Sequence, residues 1–272
     1  PNGPAGYTSQ WSLGIQRELA SNLALEVNYV GSTAMHLQGP GTSPTPINAA
    51  RPGTGGAPVR TPYFATLPNG PSINYFAWRN HYSYQSLQGT LTKRFSAGLA
   101  FQAAYTWSHN IGTINAPYQS VNRDYLKASA LEQDIANTEI NAPQRFVANW
   151  QWELPFGKGK KYGSNMSSIA DGILGGWRFA GVLAFQSGSP FTVTGGTNVP
   201  NRLCDGQTPP GGHTVEKWFD TSCFVLPPTV TDPVRGGQFT PWGNAGLNIL
   251  RGDGIRQNDL SLTKFFNVGG EG

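Results

Sequence analysis

Strict alternation of apolar and polar residues, held over segments of about ten residues, recurs seven times in this chain and constrains its fold more than any other feature. Residues 10–19 place Trp11, Leu13, Ile15 and Leu19 on one face and Ser12, Gly14, Gln16 and Glu18 on the other. Residues 23–30 repeat the pattern, with Leu23, Leu25, Val27 and Tyr29 against Ala24, Glu26 and Asn28. The pattern is weaker over 87–95 and clear again over 99–108, 145–156, 177–186 and 259–268. Successive side chains of a strand point to opposite faces, so each segment predicts a strand with one apolar and one polar side.

Two kinds of β-protein show such a period, and the residue types separate them. A soluble sandwich would turn an outer face rich in Lys and Glu to water. Here the polar faces carry Gln, Ser, Thr and Asn, and charged residues make up only 12% of the chain, about half the usual share. The apolar faces carry Trp, Phe and Tyr towards their ends, as in Phe101, Tyr105 and Trp107 or Trp150, Trp152 and Phe156. Interfacial aromatics and a length of about ten residues suit a tilted strand crossing a bilayer. The expectation is an all-β fold, a partial antiparallel transmembrane β-barrel of about seven meander strands. The faces bearing Trp11, Phe101, Trp152 and Phe179 are expected to contact lipid. No stretch approaches 18 apolar residues, so no transmembrane helix is expected.

Connection lengths orient the strands. Ala20-Ser21-Asn22 and Ser96-Ala97-Gly98 are short, whereas 31–82, 109–143 and 187–257 are long and polar. Outer-membrane barrels have short periplasmic turns and long extracellular loops. The connection 157–176 is the exception on the short side, and its 164–174 portion suits one or two helical turns capped by Ser164 or Asn165. Residues 1–272 therefore read as part of an outer-membrane barrel domain, with further strands expected elsewhere. Seven strands would leave two open edges, and unpaired backbone groups in lipid cost several kcal/mol each.

A search for chemistry returns little. The net charge of +4 comes without a long basic run, so nucleic acid is not an expected partner. No nucleophile elbow, zinc-protease or Walker-type motif occurs, so neither an enzyme nor a cofactor is expected. Gly157-Lys158-Gly159-Lys160-Lys161-Tyr162-Gly163 matches no phosphate-loop spacing and reads as a basic turn near anionic headgroups. His36, His81, His109 and His213 are scattered through or beside loops. Cys204 and Cys223 share a Pro/Gly-rich connection and suit a disulfide in an oxidising compartment, the bland alternative being two unpaired small apolar residues. Glu26, Arg145, Glu153 and Arg178 fall on lumen faces, where they could brace a wet wall or meet a plug. The loop aromatics Tyr75, Trp78, Tyr118, Trp218 and Trp242 could bind a ligand or pack the loops against one another.

An ordered set of motifs resembles the Oar-like branch of TonB-dependent outer-membrane receptors. It runs from Gln10-Trp11-Ser12-Leu13-Gly14-Ile15-Gln16-Arg17-Glu18-Leu19 and Asn28-Tyr29-Val30-Gly31-Ser32 through Tyr84-Gln85-Ser86-Leu87-Gln88 and Tyr105-Thr106-Trp107-Ser108. Its most specific block is Pro143-Gln144-Arg145-Phe146 with Glu153-Leu154-Pro155-Phe156-Gly157-Lys158-Gly159-Lys160. Gly175-Gly176-Trp177, Gln186-Ser187-Gly188-Ser189-Pro190-Phe191, Trp218-Phe219-Asp220-Thr221, Leu250-Arg251-Gly252 and Asp259-Leu260-Ser261-Leu262-Thr263-Lys264-Phe265-Phe266 follow. The resemblance implies a barrel of about 22 strands filled by an N-terminal plug, with residues 1–272 a C-terminal part of the barrel domain and the plug domain and final strands lying elsewhere. It implies energy-dependent import of a solute bound at the extracellular loops of the outer membrane of a Gram-negative-type bacterium. The implied partners are outer-membrane lipid, a plug domain of the same parent chain, TonB and an unidentified solute. Rival readings are a passive porin or surface adhesin on the same barrel, and a secreted carbohydrate-binding β-sandwich.

Overall fold

The computed structural model describes residues 3–37, 45–46, 66, 74–75, 78, 80–113, 135–195, 199–231, 238–241 and 243–266. Seven long strands dominate: β1 (Tyr7–Ala20), β2 (Leu23–Leu37), β3 (Asn80–Ser96), β4 (Leu99–Gly112), β5 (Gln144–Glu153), β6 (Trp177–Gln186) and β7 (Ile255–Lys264). They pair antiparallel in chain order, each beside its sequence neighbours. The short strand Ala136–Asn137 adds to the Ile111–Gly112 end of β4.

The register carries each face across the whole sheet. Leu25, Leu91, Ala103, Ala148 and Leu183 form one row, and Thr92, Gln102, Asn149, Val182 and Asp259 form a row on the other face. A one-residue slip at any pairing would mix the two sets. Among the described residues the other sheets are two-residue ribbons, so no second sheet covers the apolar face. Leu13 and Ile15 are accordingly 71% and 69% exposed, and Trp107 is 59% exposed. Burial of that face between two sheets is what a soluble sandwich requires, and Trp152 and Phe179 are not buried. β1 and β7 are exposed almost throughout, because each has a strand neighbour on one side only.

All seven expected strands are present, with shifted ends. β2, β3 and β4 run past the alternating segments, and Gly31 to Ala34 pairs with Tyr82 to Gln85, which pairs on with His109 to Gly112. In these extensions Gly31, Ser32, Ala34 and Gly112 are buried, so the pairing continues without a lipid-against-water alternation to announce it. β5 stops at Glu153, short of Phe156, because Pro155 has no N–H to give to a ladder. β7 begins at Ile255, four residues before its expected start, and Asn267 and Val268 lie outside the described residues.

Turn chemistry closes the short end. Ala97 and Gly98 both have positive φ, 50° and 80°, the geometry of a two-residue I′ hairpin. The side chains of Asn22 and Lys93 both donate to Ser96 Oγ and tie the two short turns together. The connection between β5 and β6 holds helix α1 (Ser168–Leu174). Its N-cap is Ser167, whose Oγ accepts from the Ala170 N–H at 3.2 Å; Ser164 and Asn165 are not the cap. The preceding residues are already used in a turn in which Met166 N–H donates to the Gly163 carbonyl, at a glycine with φ of 80°.

Buried apolar side chains lie almost wholly in the connection between β6 and β7. Val193, Val199, Cys223, Ala245, Leu247 and Leu250 are there, and among the described residues Ala34 alone represents the sheet. Phe224 and Ile249 pack on Val199 and Ala245.

Candidate functional site

Two regions are built for contact with something other than lipid: the polar face of the sheet and the cap formed by its long connections. The polar face is concave. A hollow of about 650 Å³ lies across β3 to β7, with Thr92, Gln102, Asn149, Gln151, Asp259 and Ser261 in its lining. These residues share a face through the register, and Ala100 and Ala180 between them keep the hollow open. Amides, hydroxyls and one carboxylate can exchange hydrogen bonds with water or a passing polar solute without holding it tightly.

Glu26, Arg145, Glu153 and Arg178 all stand on this face, but the structure unites only two of them. Glu153 is the register partner of Arg178 and accepts from its guanidinium at 3.0 Å, while Lys160 reaches the other carboxylate oxygen at 3.1 Å. The Arg178 guanidinium also lies 4.5 Å from the centre of the Phe265 ring. An ion pair this accessible contributes up to about 1 kcal/mol, so its role is to neutralise and position rather than to stabilise. Glu26 accepts from Asn28 at 2.6 Å, and two strands separate it from Arg145.

The cap has a small core of its own at the long-loop end. Cys204 and Cys223 form a disulfide across 19 positions, with Cα atoms 5.0 Å apart. Ribbons pair Pro190–Phe191 with Leu250–Arg251 and Asn201–Arg202 with Phe224–Val225. Asp220 caps the 3-10 turn at Thr221–Cys223, and hydrogen bonds from Ser222 hold its carboxyl below the ordinary range. A polar bracket then joins this cap to the connection between β4 and β5. Asn248 Nδ2 donates to the Asn137 carbonyl at 2.7 Å, and Asn137 Nδ2 donates back to the Asn248 carbonyl at 3.3 Å. Arg251 donates from Nη1 to the carbonyls of Asn141 and Gly188, and burial pushes its guanidinium down from its usual value.

The loop aromatics divide. Trp218 is committed to packing: its indole N–H donates to the Arg251 carbonyl at 2.7 Å, and its ring stacks on His213 at 4.5 Å. Trp78 is half-buried, its ring lying over the backbone of Gly3. Tyr75 pairs its backbone with Thr45 in a two-residue ribbon. Tyr118 and Trp242 lie outside the described residues. Sequence reasoning missed the bracket of Asn137, Asn141, Asn248 and Arg251. Isolated loop asparagines carry no periodic signal; the available clue was the apolar density of Ala245 to Leu250 inside a polar connection.

A meander of strands long enough to cross a bilayer, an uncovered apolar face, a polar concave face and long loops at one end together define an outer-membrane β-barrel. The chain belongs to the outer membrane beta barrel domain family, whose model matches residues 1–272, and it resides in the outer membrane. No curated protein matches it. Among solved structures it is similar to the outer membrane transporter YddB from Escherichia coli, at 10% identity and a TM-score of 0.40. The match covers 96% of this chain and 33% of the other, so the chain spans about a third of that transporter's length.

Proposed function

We propose that this chain forms a sector of the wall and much of the extracellular cap of a TonB-dependent receptor of the Oar-like branch. In this reading a solute binds at the extracellular loops, TonB delivers energy to a plug in the lumen, and the solute passes along the polar face. The chain is not an enzyme in this account, and further strands pair with the edges of β1 and β7. The observation that carries the reading is the pairing of a concave wall of amides and hydroxyls with a braced loop cap above it. The ordered motifs from Gln10 to Phe266 support the finer assignment.

The test is ion conductance of the complete barrel in a planar bilayer bathed in potassium chloride. A plugged receptor gives no steady conductance until the plug is loosened by denaturant. Steady open-channel current without denaturant would replace the receptor with a passive porin.

A further inference from the structure

We propose that helix α1 is an interfacial anchor, lying in the periplasmic leaflet of the outer membrane and binding lipids with anionic headgroups. This goes beyond the transport reading and depends only on the barrel and its orientation. The helix has seven residues and none of them is buried. A helix this short is marginal in water, and most helical stability comes from packing an apolar face. Here the face is present and uncovered: Ile169 and Ile173, one turn apart, are 79% and 64% exposed, with Leu174 beside them. Ser168 and Asp171 instead face the turn, where Lys158 contacts both.

The position of the helix identifies the occupant. Trp177 shares the outward phase of Phe179 and Leu183, and Lys264 is its register partner on that same face. The Trp177 indole donates to the Ile173 carbonyl at 3.0 Å, and the Lys264 ammonium donates to the carbonyls of Ile173 and Gly175 at 3.1 and 2.7 Å. Both anchors therefore hold the C-terminal end of α1 on the lipid side of the wall, at the short-turn end. A cation at a helix C-terminus and an interfacial Trp are each favoured there. The apolar stripe continues the lipid-facing surface of the barrel, so lipid covers it more readily than a separate protein would.

Charge selects the headgroup. The 154–176 connection holds Lys158, Lys160 and Lys161 against one acid, Asp171. Lys160 is engaged by Glu153, whereas no carboxylate among the described residues pairs with the side chain of Lys158 or Lys161. Lysines beside an apolar helix face at a membrane surface attract anionic lipid.

The experiment places an environment-sensitive fluorophore at Ile169→Cys in the complete barrel, folded into phosphatidylethanolamine–phosphatidylglycerol vesicles. Both natural cysteines are disulfide-bonded, so the new thiol is labelled selectively. A matched label at Val215→Cys, 97% exposed at the opposite end, reports the water-facing baseline. The expected result is blue-shifted emission at position 169 and quenching by lipids spin-labelled near the headgroup, neither seen at 215. Headgroup-labelled phosphatidylglycerol should quench about two- to five-fold more than the phosphatidylcholine analogue, and Lys158→Gln with Lys161→Gln should remove that preference. Equal iodide quenching at 169 and 215 overturns the anchor. Shielding from iodide without lipid quenching means that a protein covers the helix, and overturns the lipid assignment. Equal quenching by the two lipids overturns the headgroup selection.

Discussion

Leu87 in β3 and Trp107 in β4 stand 46% and 59% exposed, while Leu247 and Leu250 in the connection between β6 and β7 are 2% and 0% exposed, although all four carry large apolar side chains. The difference lies in the solvent each region meets. The connection faces water and must hide its apolar groups, so it builds a core from Val199, Ala245, Phe224 and Ile249 and closes it with a disulfide. The sheet meets hydrocarbon, where exposing Leu or Trp costs nothing and leaving a backbone amide unpaired costs several kcal/mol. Its stability therefore comes from complete ladders, and its sequence needs only the right side chain on the right face.

The sharpest way to break this contrast is to reverse a side chain on one face and spare the other. Leu183→Arg lies in the central row of the lipid face and should cost about 2–4 kcal/mol in a membrane-folding titration. Ala184→Arg, the next residue on the lumen face, should leave folding nearly unchanged. Equal losses would mean that the two faces meet the same environment.

Removing the disulfide with Cys204→Ser and Cys223→Ser should act on the cap alone. The closed loop of about 20 residues corresponds to roughly 3 kcal/mol in the chain-entropy model. Proteolysis should begin in the cap while the heat resistance of the sheet in detergent stays the same. Concerted loss of both would show that cap and sheet form one cooperative unit.

Asn248→Leu sharpens the same point at a smaller scale. It removes the amide bridge to Asn137 and the bond from Thr192 Oγ1, at a residue with φ of 52°. Each buried polar group left unpaired should cost roughly 1–3 kcal/mol. Hydrogen exchange should rise around Asn137 and Thr192 and stay unchanged in β1. At the membrane's other edge, Ala97→Asn should stabilise the hairpin by about 1 kcal/mol, because Asn tolerates the left-handed conformation that Ala occupies. Urea unfolding in lipid vesicles measures it.

The same contrast explains what the sequence discloses. β1, β4 and β6 are legible because lipid on one side and water on the other impose a period of two. The Gly31 to Ala34 and His109 to Gly112 extensions are illegible because no apolar lipid face runs through them, and Gly31, Ser32, Ala34 and Gly112 are buried instead. Glu153 and Arg178 could be assigned to the lumen by phase, but their pairing depended on register, which phase alone does not fix. The bracket of Asn248 and Arg251 joins loops more than 100 positions apart, and local pattern has no access to such contacts. The α1 cap was misplaced by three residues at most because serine recurs at Ser164, Ser167 and Ser168, and only the turn at Gly163 decides among them.

The central claim, that the aromatic face of the sheet meets lipid and the amide face meets water, is tested most directly by scanning β6 with single spin labels in the vesicle-embedded barrel. Collision rates with oxygen and with a water-soluble nickel chelate should alternate residue by residue. Phe179, Leu183 and Phe185 should favour oxygen; Ala180, Ala184 and Gln186 should favour the chelate. A flat profile, or one with the two sets exchanged, would contradict the account.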